Sequence, residues 1–313
     1  MHQISSALRG CSNSLKVIKF ERNRMGGERL VEITEALAVH PQLEQLQLPS
    51  MNIGRNGCAA IAFLLSHAAT KLHTLDLRNN SINNEGVDAL VGALTNSNLH
   101  ILDLAWNQTI TARGYRRIAI LLENRNCSLV QLRLFCNSIG DEGALIFANA
   151  LASNCKLKTL DLDSNGITAE GYSSFSKVLC DTSSINRTFL SNHTLGALGG
   201  SSLIPADLRS LLALNSSNED RNQVAIRKIL KHHHHFDMQP FFEWDLKVLP
   251  LAVNWFERAR SIERIDDAGI GKHKLGAIYQ FIRAMPEVFE PSPAAAGEKR
   301  KRSAIDGTGK ISK

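Results

Sequence analysis

Residues Leu72–Leu94 read LHTLDLRNNSINNEGVDALVGAL, an L-x-x-L-x-L stretch followed by a turn and then an apolar run at helical spacing. Alternating leucines are the mark of a half-buried strand, while Leu90 and Leu94, four apart, share one face of a helix. The same unit recurs along the chain, with first apolar residues at Leu15, Leu43, Leu72, Leu99, Leu129, Leu157 and Ile185. Self-similarity at a period of roughly 20 to 50 residues dictates a stacked solenoid in place of a closed globule. A solenoid presents a long open surface with no built-in catalytic pocket, which points to macromolecular binding.

Two further columns support this register. Eight residues after each start stand Asn23, Met51, Asn80, Asn107, Asn137, Asn165 and His193. A buried side-chain amide there bridges backbone groups of neighbouring coils where the chain leaves the strand. The glycine column is Gly57, Gly86, Gly114, Gly143, Gly171 and Gly199, with one residue inserted in the fourth copy at Gln108 or Thr109. Glycine lets each helix start lie close to its neighbour. The expected core pairs are Ile61/Leu65, Leu90/Leu94, Ile118/Leu122, Phe147/Leu151 and Phe175/Leu179.

On these residues the chain resembles the ribonuclease-inhibitor-type leucine-rich repeats. The resemblance implies an α/β horseshoe with parallel strands on the concave face, helices on the convex face and an α-helical C-terminal cap. Between Pro205 and Phe289, the segments QVAIRKIL, DLKVLPLAVNW and AIYQFIRAMPEVFE resemble the C-terminal region of microalgal proteins of this repeat class. The expected organisation is a capping helix or truncated repeat at 1–14, seven repeats at 15–199 with the last divergent, a helical module at 200–290 and a disordered basic tail at 291–313.

Within the helical module, apolar spacing predicts helices over Asp207–Leu214, Asn222–Leu230, Trp244–Arg260 and Leu275–Met285. Its aromatic cluster, Phe241, Phe242, Trp244, Trp255 and Phe256, reads as packing for the last coil or as a second docking site. His232 to His235 reads as a solvated polar turn, since on a helix only the outer pair shares a face. No metal or cofactor is expected.

The repeats are nearly neutral, residues 1–183 carrying 17 Lys/Arg against 16 Asp/Glu, which argues against nucleic-acid binding by the solenoid. The tail carries 6 against 2, and its run Lys299, Arg300, Lys301, Arg302 resembles a nuclear-import signal. The start has no secretory pattern and no 18-residue apolar run appears, so an intracellular chain, cytoplasmic or nuclear, is expected. The six cysteines lack paired spacing and read as buried free thiols.

Strand alternation assigns two outward columns, Lys19, Gln47, Asp76, Asp103, Arg133, Asp161, Phe189 and Glu21, Pro49, Arg78, Ala105, Phe135, Asp163, Ser191; next comes Arg22, Ser50, Asn79, Trp106, Cys136, Ser164, Asn192. Trp106 and Phe135, with Arg78, Arg133, Asp76, Asp103, Asp161 and Asp163 around them, form the expected partner-binding surface. Asp103, Arg133 and Asp161 also read as a cross-strand charge ladder. Asp161 and Asp163 are expected to titrate normally on an open sheet, and Asp76→Ala to be nearly silent. No nucleophile–base pairing is evident, so a non-enzymatic protein-interaction scaffold is the leading reading. The alternatives are a GTPase-activating regulator of the nuclear-transport type and a fragment of an immune-receptor-like sensor.

Overall fold

A computed structural model describes residues 2–11, 14–23, 25–67, 71–217 and 220–233. The chain divides into two compact units, Met1–Ala225 and Ile226–Lys313. Of the second, the described part is the C-terminal portion of helix Arg221–His232 and His233.

The first unit is an open solenoid of alternating helix and strand. Helix α1 (His2–Gly10) precedes β1 (Val17–Lys19), α2 (Gly26–Leu37), β2 (Gln45–Gln47), α3 (Gly54–His67), β3 (Thr74–Asp76) and α4 (Asn84–Leu94). The pattern continues with β4 (Ile101–Asp103), α5 (Ala112–Glu123), β5 (Gln131–Arg133), α6 (Gly140–Leu151), β6 (Thr159–Asp161) and α7 (Ala169–Leu179), and then α8 (Ile185–Phe189) and α9 (Ala206–Ser216). The strands form one parallel sheet in sequence order, each leucine opposite its counterpart: Leu46↔Leu75↔Leu102↔Leu132↔Leu160. These leucines are at most 1% exposed and form one core with the inward residues of the helices.

Short strands leave the backbone groups just beyond them in need of partners, and the asparagine column supplies them. Asn107 Oδ1 accepts the N–H groups of Asn80 and Ile82 in the previous coil, each at 3.0 Å, while its Nδ2 donates to Leu77 O at 3.1 Å and to Leu104 O at 3.0 Å. Asn80, Asn137 and Asn165 repeat the pattern, accepting from the backbone N of Met51 (2.8 Å), Asn107 (2.7 Å) and Asn137 (2.9 Å). Asn23, expected in this ladder, is exposed; β1 is the first strand among the described residues, with no described strand ahead of it to bridge.

The expected seventh copy is displaced. Ile185–Phe189 is helix α8, and the chain returns to the sheet ten residues later, where Ala197 bridges Thr159 in parallel. Gly196 N and Ala197 N both donate to Lys158 O, as His73 N and Thr74 N do to Glu44 O, so Leu195 takes the place of Leu157 and Leu72. Phe189, Ser191 and Asn192 therefore leave the concave columns. His193 leaves the asparagine column, and Gly199, at φ +100°, leaves the helical glycine column. Leu208, Leu211 and Leu212 of α9 belong to the same core as the coils before them.

A second asparagine row, unread in the sequence, fixes the opposite turn. Asn154 Oδ1 accepts from Lys156 N (3.0 Å) and Leu157 N (2.8 Å), and Asn192 Oδ1 from Thr194 N (2.8 Å) and Leu195 N (2.9 Å). Their Nδ2 groups donate to the preceding coil, Asn154 to Leu122 O at 2.6 Å and Asn192 to Leu151 O at 2.8 Å.

The glycine column works as expected within the helices. A Cβ on Gly114 would stand 2.7 Å from Asn84 Oδ1 of the previous coil, the same oxygen that accepts the Gly114 N–H at 3.0 Å. The cysteines are only partly as expected. Cys58, Cys127 and Cys180 are buried free thiols, but Cys11 and Cys155 are exposed, since Asn154 takes the inward position beside Cys155.

Because Asn107 satisfies several buried backbone groups at once, Asn107→Ala is expected to cost roughly 2–4 kcal/mol. That is comparable with Leu132→Ala at about 2–5 kcal/mol, whereas Asn23→Ala stays within about 0.5 kcal/mol. Urea unfolding followed by far-ultraviolet circular dichroism gives the three values, and equal losses at Asn107 and Asn23 would contradict the ladder.

Candidate functional site: the concave face

Each ladder position is preceded by a residue in the left-handed backbone region: Ser50, Asn79, Trp106, Cys136 and Ser164 have φ between 54° and 60°. This turns the chain so that the ladder side chain enters the core while its predecessor stays on the concave side. Non-glycine residues there are mostly small and polar, since a bulky side chain is strained at positive φ. Two bulkier residues depart from this, Arg22 at φ +57° in the first coil and Trp106, held at φ +60° and 48% exposed in the middle of the sheet. Its ring meets Phe135 of the next coil edge-on, centroids 5.7 Å apart, and its backbone N–H donates to Phe135 O at 2.9 Å. Edge-to-face packing is the arrangement favoured by the ring quadrupoles.

Beside this pair runs a charge network. Arg78 grips Asp76 in a fork, Nε to Oδ1 at 3.0 Å and Nη2 to Oδ2 at 2.7 Å, and its Nε lies 3.5 Å from Asp103 Oδ2. Arg133 Nη1 reaches the same Asp103 oxygen from the other side at 3.4 Å. With the Gln131 amide turned so that its oxygen faces the guanidinium, Gln131 accepts from Arg133 Nε at 3.0 Å and Nη2 at 3.1 Å. Asp103 is 2% exposed, and its Oδ1 also accepts from Ala105 N at 3.0 Å. The expected Asp103–Arg133–Asp161 ladder is thus replaced by an Asp76–Arg78–Asp103–Arg133 chain. Asp161 Oδ1 instead accepts from Asp163 N at 3.2 Å, and Asp163 Oδ2 accepts from Gly200 N at 2.6 Å.

Two expectations fall here. Asp76 is 8% exposed and carries the Arg78 fork, so its truncation is not silent. Nor does Asp161 titrate normally: burial pushes its carboxyl above the usual aspartate value, and the nearby Asp163 charge adds to the effect. The Asp103 carboxyl is likewise pushed up, burial outweighing the Ala105 N–H and the two arginines.

A rim of residues three positions ahead of the first outward column was missed in the sequence. Lys16 pairs with Glu44 at 2.9 Å, Glu44 lies 4.0 Å from His73, and His73 and His100 face each other with ring centroids 6.4 Å apart. On the convex side, ion pairs join successive helices: Arg55–Glu85 at 2.9 Å, Arg113–Asp88 and Arg117–Asp88 at 2.8 Å, and Arg116–Glu142 at 2.7 Å. The import-signal candidates Lys299, Arg300, Lys301 and Arg302, the aromatic cluster from Phe241 to Phe256, and His234 and His235 lie outside the described residues. Among the described residues, no group of three or more His, Cys, Asp or Glu is placed to hold a metal ion, and no helix is long and apolar enough to cross a membrane.

With its pKa raised above the ordinary 3.8, folded Asp103 binds its proton more tightly than the unfolded chain does. The stability it contributes is therefore fully present below 3.8 and is lost as pH rises through the folded value. Urea titrations of wild type and Asp103→Asn from pH 3.8 upward should show the stability difference, wild type minus variant, shrinking as pH rises. A difference that grows with pH would reverse the sign of the burial effect.

A family model described as Leucine Rich repeat matches residues 68–91, 95–119, 125–148 and 153–176. Among curated proteins, the mouse ribonuclease inhibitor is 32% identical over 111 residues, 35% of this chain and 24% of its own length. The pig ribonuclease inhibitor is 30% identical over 151 residues, 47% of this chain and 32% of that protein. The human NACHT, LRR and PYD domains-containing protein 7 is 35% identical over 121 residues, 38% of this chain and 12% of that protein. The chain thus spans no more than a third of the length of these relatives. Matches to successive coils, a parallel sheet in sequence order and an asparagine past each central strand agree: the coils between residues 68 and 176 are leucine-rich repeats, similar to those of the ribonuclease inhibitors.

Proposed function

We propose that this chain is a non-enzymatic protein-interaction scaffold whose concave strand face receives a partner at Trp106 and Phe135. The observation that carries the reading is the Trp106–Phe135 pair itself. A half-exposed tryptophan occupies a left-handed backbone position that the coils on either side fill with Asn79 and Cys136, so fold stability does not account for it. Tryptophan is among the residues that most often dominate binding energy at the centre of interfaces. Around it, Asp76, Arg78, Asp103 and Arg133 hold one another in fixed positions, which reduces the ordering cost of docking. The relatives named ribonuclease inhibitor are, by that name, proteins directed at another protein, in keeping with this reading. The GTPase-regulator and sensor alternatives draw support from no particular residue of the described face.

The test is a comparative capture experiment. Wild type, Trp106→Ala/Phe135→Ala and a convex control, Ile120→Ala/Glu170→Ala, are used as baits, and proteins retained by wild type are identified by quantitative mass spectrometry and titrated. Glu85 and Asp88 are avoided as controls because both make ion pairs between helices. The concave variant is expected to lose roughly 2–4 kcal/mol of affinity, with the control unchanged. Loss by the control and retention by the concave variant would reverse the assignment.

A further inference from the structure

Carboxylates on the described strands β1 to β4 and the rim beside them have cations at hand. Lys19 meets Glu21 at 3.0 Å, Lys16 meets Glu44 at 2.9 Å, Arg78 meets Asp76 at 2.7 Å, and Asp103 is shared between Arg78 and Arg133. At β6 this matching stops. Asp161 stands opposite Arg133 in the parallel register, yet the guanidinium turns the other way, toward Asp103 and Gln131. Asp161 and Asp163 receive backbone N–H groups, from Asp163 and Gly200, and no ion pair joins either to a cation among the described residues. Asp163 Oδ1 is shielded and accepts nothing. The Arg133 charge acts on Asp161 across the strands without pairing with it; carboxylates drawn partly out of water without a paired cation are costly, and a cation brought to them recovers part of that cost.

The position of this acidic end matters as much as its charge. Phe135 comes after β5 and Asp163 after β6 at the same place in successive coils, so the aromatic pair and the two carboxylates lie side by side across neighbouring strands. At a strand spacing of about 4.8 Å, the distance from Trp106 to the β6 carboxylates is about 10 Å. A long cationic side chain spans it, its aliphatic stem over ring surface and its head at the carboxylates, as lysine and arginine do when they cover apolar surface. An anionic group has less to gain, because the Arg78 and Arg133 donors already serve Asp76, Asp103 and Gln131.

We propose that the surface formed by Trp106, Phe135, Asp161 and Asp163 takes an arginine or lysine side chain from an extended segment of the partner polypeptide, with its stem on the rings and its charged head at Asp161. This rests on the concave-face reading and adds the chemistry of the group that docks there. Ring faces attract the same cation, so the two halves of the surface favour one ligand type.

The probes are two blocked tripeptides, acetyl-Leu-Arg-Leu-amide and its citrulline counterpart, which keeps the shape and removes the charge. Binding to the full chain is read from the indole N–H signal of Trp106 in two-dimensional NMR, assigned with Trp106→Phe. The arginine peptide is expected to move that signal, at least fivefold more tightly than the citrulline peptide, with the advantage shrinking as salt is raised. Asp161→Asn, which retains an oxygen for the Asp163 N–H, should abolish the advantage without lowering the melting temperature. Equal effects of the two peptides, an undiminished arginine preference in Asp161→Asn, or no movement of the indole signal by either peptide overturns the proposal. The concave-face reading is judged separately, by the partner affinity of Trp106→Ala/Phe135→Ala. If that double variant loses the partner while Asp161→Asn keeps it, the face stands and the cationic ligand falls.

Discussion

The fold depends on the need to satisfy backbone groups at the point where each short strand gives way to the turn behind it. Three-residue strands cannot form a self-sufficient sheet. The coils are held together just past the strand, where one asparagine amide receives the N–H of the previous coil and donates to carbonyls on both. A buried polar group left without such a partner costs more than an average hydrogen bond gains. This makes the column a condition of stacking, and the left-handed residue before each ladder position is a consequence of it. The concave face is therefore built by the same turn that closes the core, which ties the orientation of Trp106 to the burial of Asn107.

Rigidity of that face has a second source. Asp103 sits almost out of solvent between two half-exposed arginines, one of which also grips Asp76. Surface ion pairs contribute little singly, but a network around one buried carboxylate restrains several long side chains together. The price is a carboxyl whose ionisation is resisted by its own surroundings. The face is thus a mosaic: an internally neutralised patch toward the N-terminal strands, an aromatic pair in the middle and an acidic end on β6.

Much of this was legible in the sequence because solenoid contacts repeat. The leucine, asparagine and glycine columns specify the coil, and the alternation of strands places Trp106 beside Phe135. The seventh coil was misplaced because a constant period was imposed across the ten-residue excursion containing α8. A better marker was present: Asn96, Asn126, Asn154 and Asn192 each stand three residues before the leucine that opens a coil, and this short pattern survives the insertion. Asp103 burial and the turning of Arg133 away from Asp161 were not legible. Both depend on which of two neighbouring carboxylates a long side chain selects, a choice among rotamers that the spacing of residues does not encode. The strain at Trp106 was equally hidden, since the residue types in its column, from Arg22 to Ser164, do not distinguish a left-handed backbone from an extended one.

The ladder also bears on how this chain ages. Asn165 is followed by Gly166, a pair prone to spontaneous loss of ammonia when the glycine nitrogen attacks the side-chain carbonyl carbon and closes a succinimide ring. In the folded chain Asn165 is 4% exposed, its Nδ2 donates to Leu134 O, Leu162 O and Asp163 O, and its Oδ1 accepts from Asn137 N. The amide is held away from the conformation that cyclisation requires, so the reaction proceeds through moments when the coil opens. Hydrolysis of the ring then leaves an acid where the stack needs an amide donor. Chemical lifetime at this one asparagine is set by the frequency with which its coil breathes, and each such event makes the next opening easier.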